Sequence, residues 1–249
     1  MATKFEAFRD LHIPGDPLIL FNVWDAGSAA AAAQSGAKAV ATGSASVAAA
    51  NGFGDGEEVP MAFALANAER IVGAVELPVT VDFEGGYADD PERVAENMAR
   101  LAATGAIGCN FEDQIVGGDG LWPVGEHCQR LNAVRSKVGE SFFINARTDI
   151  FLQAKPEAHD AAAADAAIER ALAYADAGAS GYFIPGLGDL KLVEHITKAS
   201  PIPVNAMWLP GGPTSAQWAS AGIARISHGP FPQMALMGTL EEMARAALN

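Results

Sequence analysis

Gln34–Ser44 reads QSGAKAVATGS, and its pattern returns in Thr104–Asp113 (TGAIGCNFED), Asp176–Gly186 (DAGASGYFIPG) and Ser220–Pro230 (SAGIARISHGP). Each stretch has a small-residue helix end, a glycine, a short link, and an apolar run ending in polar or glycine residues. Gly36, Gly105, Gly178 and Gly222 suit the left-handed position just past a helix, where a Cβ would be strained. Gly36 and Gly222 lie 186 residues apart, three steps of 62. That is too long for one βα unit but fits two units of about 30 residues each. Four further strands should therefore lie between the repeats. Leu18–Asp25 (LILFNVWD), Pro78–Glu84 (PVTVDFE), Phe142–Asp149 (FFINARTD) and Pro203–Trp208 (PVNAMW) are short apolar runs of the kind buried parallel strands show.

The intervening segments read as helices. Leu65, Ala68, Val72 and Val75 share a helical face, as do Val94, Met98 and Leu101, and then Ile168, Leu172 and Ala175. Asp90 before Pro91 is a helix start, with the carboxylate capping and proline in the first turn. Eight strands alternating with helices predict an α/β fold, a (β/α)8 TIM-type barrel, rather than a doubly wound open sheet. No linker or low-complexity tract breaks the chain, so residues 1–249 are expected to form one domain. Half of the 249 residues are hydrophobic and only 18% are charged, which allows a large core. Thirty acidic against 16 basic residues give a net charge of −14. Such a surface repels phosphate backbones and anionic membranes, so neither nucleic acid nor a membrane is an expected partner. Cys109 and Cys128 cannot supply a disulfide framework. With no signal-like run in Met1–Asp10, the cytoplasm is the expected compartment.

Barrels carry their chemistry at the C-terminal ends of the strands. Those ends read Asp25; Ser44 and Ser46; Asp82 and Glu84; Glu112 and Asp113; Arg147 and Asp149; Asn205; and His228. Asp82, Glu84 and Glu112 in one narrow mouth would repel each other unless a cation or protons intervened. Oxygen donors without a His or Cys cluster suit Mg²⁺, with Mn²⁺ as the alternative. Arg147 alone among ten arginines falls at such a strand end, where its guanidinium can grip a carboxylate; the other reading is an internal ion pair with Asp149 or Glu112. Asn205 and His228 are further candidates for substrate contact. None of the six lysines reaches a strand end, which argues against Schiff-base chemistry. His12, His127, His159 and His195 are expected at the surface, Cys109 in the core, and Cys128 on a helix. Asn51–Glu58 (NGFGDGEE) reads either as a mobile lid carrying Asp55 or as a plain turn. The glycines at 211, 212 and 229 could hold a phosphate. Met234–Leu248 is apolar enough to pack on a partner.

NVWDAGSA (Asn22–Ala29), TGSASVAAANGFGDG (Thr42–Gly56), VDFEGGY (Val81–Tyr87), NFEDQ (Asn110–Gln114) and NARTDIF (Asn145–Phe151), in this order, resemble the isocitrate lyase/phosphoenolpyruvate mutase family over nearly the whole chain. The resemblance implies a barrel that is usually oligomeric, a dimer or tetramer with its last helix exchanged between neighbours. It also implies a bound Mg²⁺ and a small 2-oxo or 2-hydroxy carboxylate substrate. By position it makes Asp82 the principal metal carboxylate, with Glu84 standing where the family often has Asp and Glu112 as the further acid of the metal site. Asp55 resembles the lid aspartate and Arg147 the carboxylate clamp. Gly43, Ser44 and Ala45 resemble the turn that holds the substrate's oxygens, and Trp24 a residue lining that pocket. One departure bears on the reaction. The lyases' Lys-(Lys/Arg)-Cys-Gly-His loop is replaced by IVGGDGLWPVGEH (Ile115–His127), and the phosphonate mutases' different loop, rich in Lys, Pro, Asn and Ser, is missing too. What remains can stabilise an enolpyruvate-type anion. The implied function is therefore a Mg²⁺-dependent carbon–carbon lyase or decarboxylase for an oxaloacetate-like acid. The alternatives are P–C chemistry on a phosphonopyruvate-like substrate and non-catalytic binding of a 2-oxo acid.

Overall fold

The computed structural model describes residues 2–249 and shows parallel strands and helices in alternation. The strands are β1 (Leu18–Leu20), β2 (Asn22–Val23), β3 (Val40–Thr42), β4 (Val79–Asp82), β5 (Gly108–Glu112), β6 (Phe143–Arg147), β7 (Gly181–Phe183), β8 (Val204–Met207) and β9 (Arg225–Ser227). Hydrogen bonds run in the order β1-β9-β8-β7-β6-β5-β4-β3-β2, every pair parallel. The two ends of that series are adjacent in sequence. β1 and β2 are one barrel strand interrupted at the exposed Phe21, its first half pairing β9 and its second half β3. The expected eight-strand TIM-type barrel is thus present as nine segments. Gly36, Gly105, Gly178 and Gly222 all adopt left-handed φ, +90°, +90°, +95° and +83°, where the sequence repeat placed them.

The outer core lies between strands and helices. In α5 (Pro91–Ala103) Asp90 caps the Arg93 amide at 3.0 Å, and Val94, Met98 and Leu101 are fully buried. In α8 (Ala161–Asp176) the buried face is not that of Ile168, Leu172 and Ala175. Ala164, Ala167, Ala171 and Tyr174 face inward, and Leu172 is 47% exposed. Small side chains let this helix approach the barrel closely, while Tyr182 donates its hydroxyl to the Ala167 carbonyl at 2.7 Å.

Inside the barrel, α1 (Lys4–Asp10) contributes Phe8 to an apolar cluster with Leu18, Leu20, Ala39, Ala41 and Phe143. His12 follows α1 and is buried, not at the surface: its ring stacks on Phe143 at 4.5 Å, and Nδ1 lies 2.8 Å from the Phe8 carbonyl. His127, on α6 (Val124–Val138), is likewise buried, packed between Phe111 and Tyr174. Burial drives the pKa of His127 well down and that of His12 to about 3. His159 is half-buried and His195 exposed. Cys109 is buried in the core, and Cys128 is partly buried on α6.

The last helix, α11 (Phe231–Leu248), is the exception among the long helices. Met234, Leu236, Met237, Leu240 and Met243 are all exposed along it. It borders a wide groove whose other walls are β1, β2 and α2 (Ala26–Gln34). No helix among the described residues is long and apolar enough to cross a membrane.

Candidate active site

Strand register brings the acids to one end of the barrel. Asp82 and Asn110 are direct neighbours across β4 and β5, and Glu112 and Arg147 across β5 and β6. The Asp82 carboxylate accepts two hydrogen bonds. One comes from the Ser44 amide at 3.1 Å, at the start of α3 (Ser44–Ala50), and the other from Asn110 Nδ2 at 3.2 Å. Thr42 Oγ1 accepts from the Asp82 amide at 2.9 Å. The turn Gly43–Ser44–Ala45 therefore abuts Asp82, and a small cavity beside them is lined by Thr42, Ser44, Asn67, Asp82, Glu84 and Tyr87 among others.

Glu84 holds the loop 51–58. Its Oε1 accepts from the Gly56 and Glu57 amides at 2.8 and 3.0 Å, and Glu57 Oε1 accepts from the Tyr87 amide at 2.7 Å. Glu57, Glu84 and Tyr87 are the only non-glycine residues with positive φ among the described ones. All three meet at this contact, so backbone strain is concentrated where the loop is fastened over the strand ends. Burial, reinforced by the nearby charges of Asp82 and Asp55, pushes the Glu84 carboxyl up to about 7. Asp55 is on the exposed part of the loop.

Glu112 is buried, and burial pushes its carboxyl well above the usual range, opposed by Arg147 and reinforced by Asp149, Asp82 and Glu84. Arg147 Nη1 lies 3.0 Å from Glu112 Oε2, while Nε and Nη2 fork onto Asp149 at 2.5 and 2.8 Å. Burial alone would lower its pKa, but Glu112 and Asp149 overcome this and hold the guanidinium firmly charged. Both ion pairs weighed from the sequence thus exist. Hydrogen bonds take two of the five guanidinium N–H donors, both to Asp149.

The remaining candidates pair with groups other than these acids. Trp24 is buried along the groove bordered by α2 and α11. Asn205 is buried inside the barrel and donates to Ser227 Oγ at 3.2 Å. His228 stacks on Trp208 with ring centroids 5.6 Å apart, and its Nδ1 lies 3.2 Å from the Leu20 carbonyl. Asp25 caps α2 through the Ser28 amide. Asn110 was missed as a site residue, its signal being a polar residue inside a buried strand. Asp149, read from the sequence at a strand end and as one possible partner of Arg147, is that partner in the structure.

No three His, Cys, Asp or Glu side chains among the described residues converge into a ready-made metal cage. The donor chemistry still fits a hard cation. Asp82 and Glu84 offer carboxylate oxygens, and Mg²⁺ characteristically takes one or two of these while keeping its waters.

The barrel thus gathers carboxylates, a fastened loop and an ion-paired arginine at its C-terminal strand ends, where barrel enzymes carry their chemistry. The model of the phosphoenolpyruvate phosphomutase family matches residues 8–248. A crystal structure of a candidate phosphonomutase from Burkholderia cenocepacia J2315 superposes with a TM-score of 0.95 at 50% identity, covering 98% of both chains. An uncharacterized Mycobacterium tuberculosis protein is 33% identical over 96% of this chain and 88% of its own. The phosphoenolpyruvate phosphomutase of Streptomyces hygroscopicus is 32% identical over 70% of this chain and 56% of its own. The chain belongs to the phosphoenolpyruvate phosphomutase family, within the isocitrate lyase/phosphoenolpyruvate mutase superfamily of lyases and mutases.

Proposed function

We propose that this enzyme is a Mg²⁺-dependent carbon–carbon lyase or decarboxylase acting on an oxaloacetate-like 2-oxo or 2-hydroxy carboxylate through an enolate. The observation that carries this reading is the pairing of Asp82 and Glu84 on one side of the strand ends with a charged Arg147 on the other. Asp82 and Glu84 would hold the cation, with Glu112 able to join them once it leaves Arg147. When bound, the cation supplies Lewis-acid stabilisation of developing negative charge. Arg147 binds the substrate carboxylate through its uncommitted N–H donors. Its charge also favours electron density arriving at the adjacent carbon as the C–C bond breaks. The loop 51–58, tied to Glu84, shields the enolate from water.

The loop after β5 supports decarboxylation over cleavages that need a dedicated acid. It places Trp122 beneath the Arg130 guanidinium, 4.6 Å from the ring centroid, and carries no lysine or cysteine. Loss of CO₂ leaves an enolate without requiring a protonated leaving group. The similarity to a candidate phosphonomutase favours a second reading, P–C cleavage of a phosphonopyruvate-like acid, which phosphate release would reveal. Titrating metal-stripped protein with oxalate, a mimic of the pyruvate enolate, tests the site. Binding should require Mg²⁺ and be lost in Asp82→Ala. Binding that is indifferent to Mg²⁺ and to this substitution would overturn the metal assignment, and catalytic inertness toward every 2-oxo acid would leave only the binding-protein reading.

We also infer assembly with further copies of the chain, α11 exchanging between neighbours. An exposed row of Met234, Met237, Leu240 and Met243 beside an apolar groove supports it. Light scattering should give a mass of two chains or more, reduced by Leu240→Glu; a monomer in the wild type would refute the inference.

A further inference from the structure

Arg147 can meet a substrate carboxylate in bidentate fashion only if its guanidinium plane is held in one orientation. An arginine side chain has much rotamer freedom, whose loss would otherwise weigh against binding. Glu112 makes a single contact to Nη1 and cannot define that plane. Asp149 can, because its two oxygens take Nε and Nη2 together.

Asp149 is itself anchored. Its side chain is 1% exposed, and its backbone amide donates to Asp113 Oδ1 at 3.0 Å. The other oxygen of Asp113 accepts from the Tyr174 hydroxyl at 2.8 Å and from Arg170 Nη1 at 3.0 Å. Arg170 also donates to the Trp122 carbonyl at 3.1 Å. The turn that bears Asp149 is thereby tied to α8 and to the loop after β5. Asp113 and Asp149 are fully buried, so neither touches a ligand in the barrel mouth.

We propose that Asp149 is the positioning residue of the carboxylate clamp, fixing the plane of Arg147, with Asp113 holding Asp149 in turn. The inference rests on the reading of Arg147 as the clamp. The measurement is a double-mutant cycle on oxalate affinity at saturating Mg²⁺, with the wild type, Asp149→Asn, Arg147→Ala and the double variant. Asp149→Asn presents an amide NH₂ or a single acceptor where two carboxylate oxygens stood. Oxalate affinity should fall about tenfold while the Mg²⁺ affinity of the free enzyme stays unchanged, and the double variant should bind no more weakly than Arg147→Ala alone. Asp149→Asn binding oxalate like the wild type would overturn the inference; so would a full additional tenfold loss on top of Arg147→Ala, since Asp149 would then act without the arginine. If Arg147→Ala itself binds normally, the clamp reading fails, and the positioning role fails with it. Should Asp149→Asn not fold, Asp113→Asn enters the same cycle. A loss of oxalate affinity that vanishes in the Arg147→Ala background upholds the proposal, and no loss overturns it.

Discussion

Phe8, Leu18, Leu20, Ala39, Ala41 and Phe143 fill one part of the barrel interior with hydrocarbon, whereas Asn110, Asn145, Asn205, Arg225 and Ser227 fill another with hydrogen-bonding groups. The apolar cluster is held by packing, the edge of one ring meeting the face of another where Phe8 meets Phe143 at 5.2 Å. The polar part is held by hydrogen bonds. Arg225 donates to Asn110 and Ser227 at 3.2 Å each, yet its Nη1, Asn145 Oδ1 and Thr80 Oγ1 are buried without partners. Burial lowers the Arg225 pKa to about 9, and the Asp82 charge opposes the fall. Asn110 in turn donates from Nδ2 to Asp82 at 3.2 Å, which links this network to the strand-end acids. The apolar part provides stability; the polar part fixes the orientation of a charge.

Two substitutions can break or sharpen this division. The larger effect is expected from Phe8→Ala, which removes a fully buried ring and should cost about 3–5 kcal/mol by urea denaturation. Mg²⁺-dependent oxalate affinity of the folded fraction should stay unchanged; a parallel fall would show that the two parts are coupled. Between about pH 7 and 4.5 a smaller effect belongs to His12, whose pKa falls from 6.5 to about 3 on burial. Below pH 6.5 the unfolded chain takes up this proton before the folded one. Stability should therefore be full above about pH 6.5 and decline by about 1.4 kcal/mol per pH unit toward pH 3. Urea midpoints from pH 7 to 4.5 should fall less steeply in His12→Gln than in the wild type. Equal slopes would mean that the histidine is not held neutral in the folded state.

The strand phases and the acids at their ends were legible because they rest on local rules. A left-handed turn asks for glycine, a buried strand for a short apolar run, and barrel chemistry for the C-terminal strand ends. Gly36, Gly105, Gly178, Gly222, Asp82, Glu112 and Arg147 follow from these alone. The inward face of α8 did not, since hydrophobicity pointed to Leu172 while close packing chose alanines and Tyr174. The burial of His12 and His127 was hidden for a related reason. A neutral imidazole packs like an aromatic ring, but only the neighbours it meets in space decide whether it is covered.

The amino-acid sequence by itself determined the (β/α)8 alternation, the family, and which residue types would stand at the strand ends. Only the tertiary structure decided which of them meet. Glu84 fastens a loop 27 and 28 residues away, Arg225 reaches Asn110 across 115 residues, and Asp113 joins Arg170 across 57. Local propensity acts over one turn of helix or one strand, whereas a buried charge is stabilised by whatever partners barrel closure brings within about 3 Å of it.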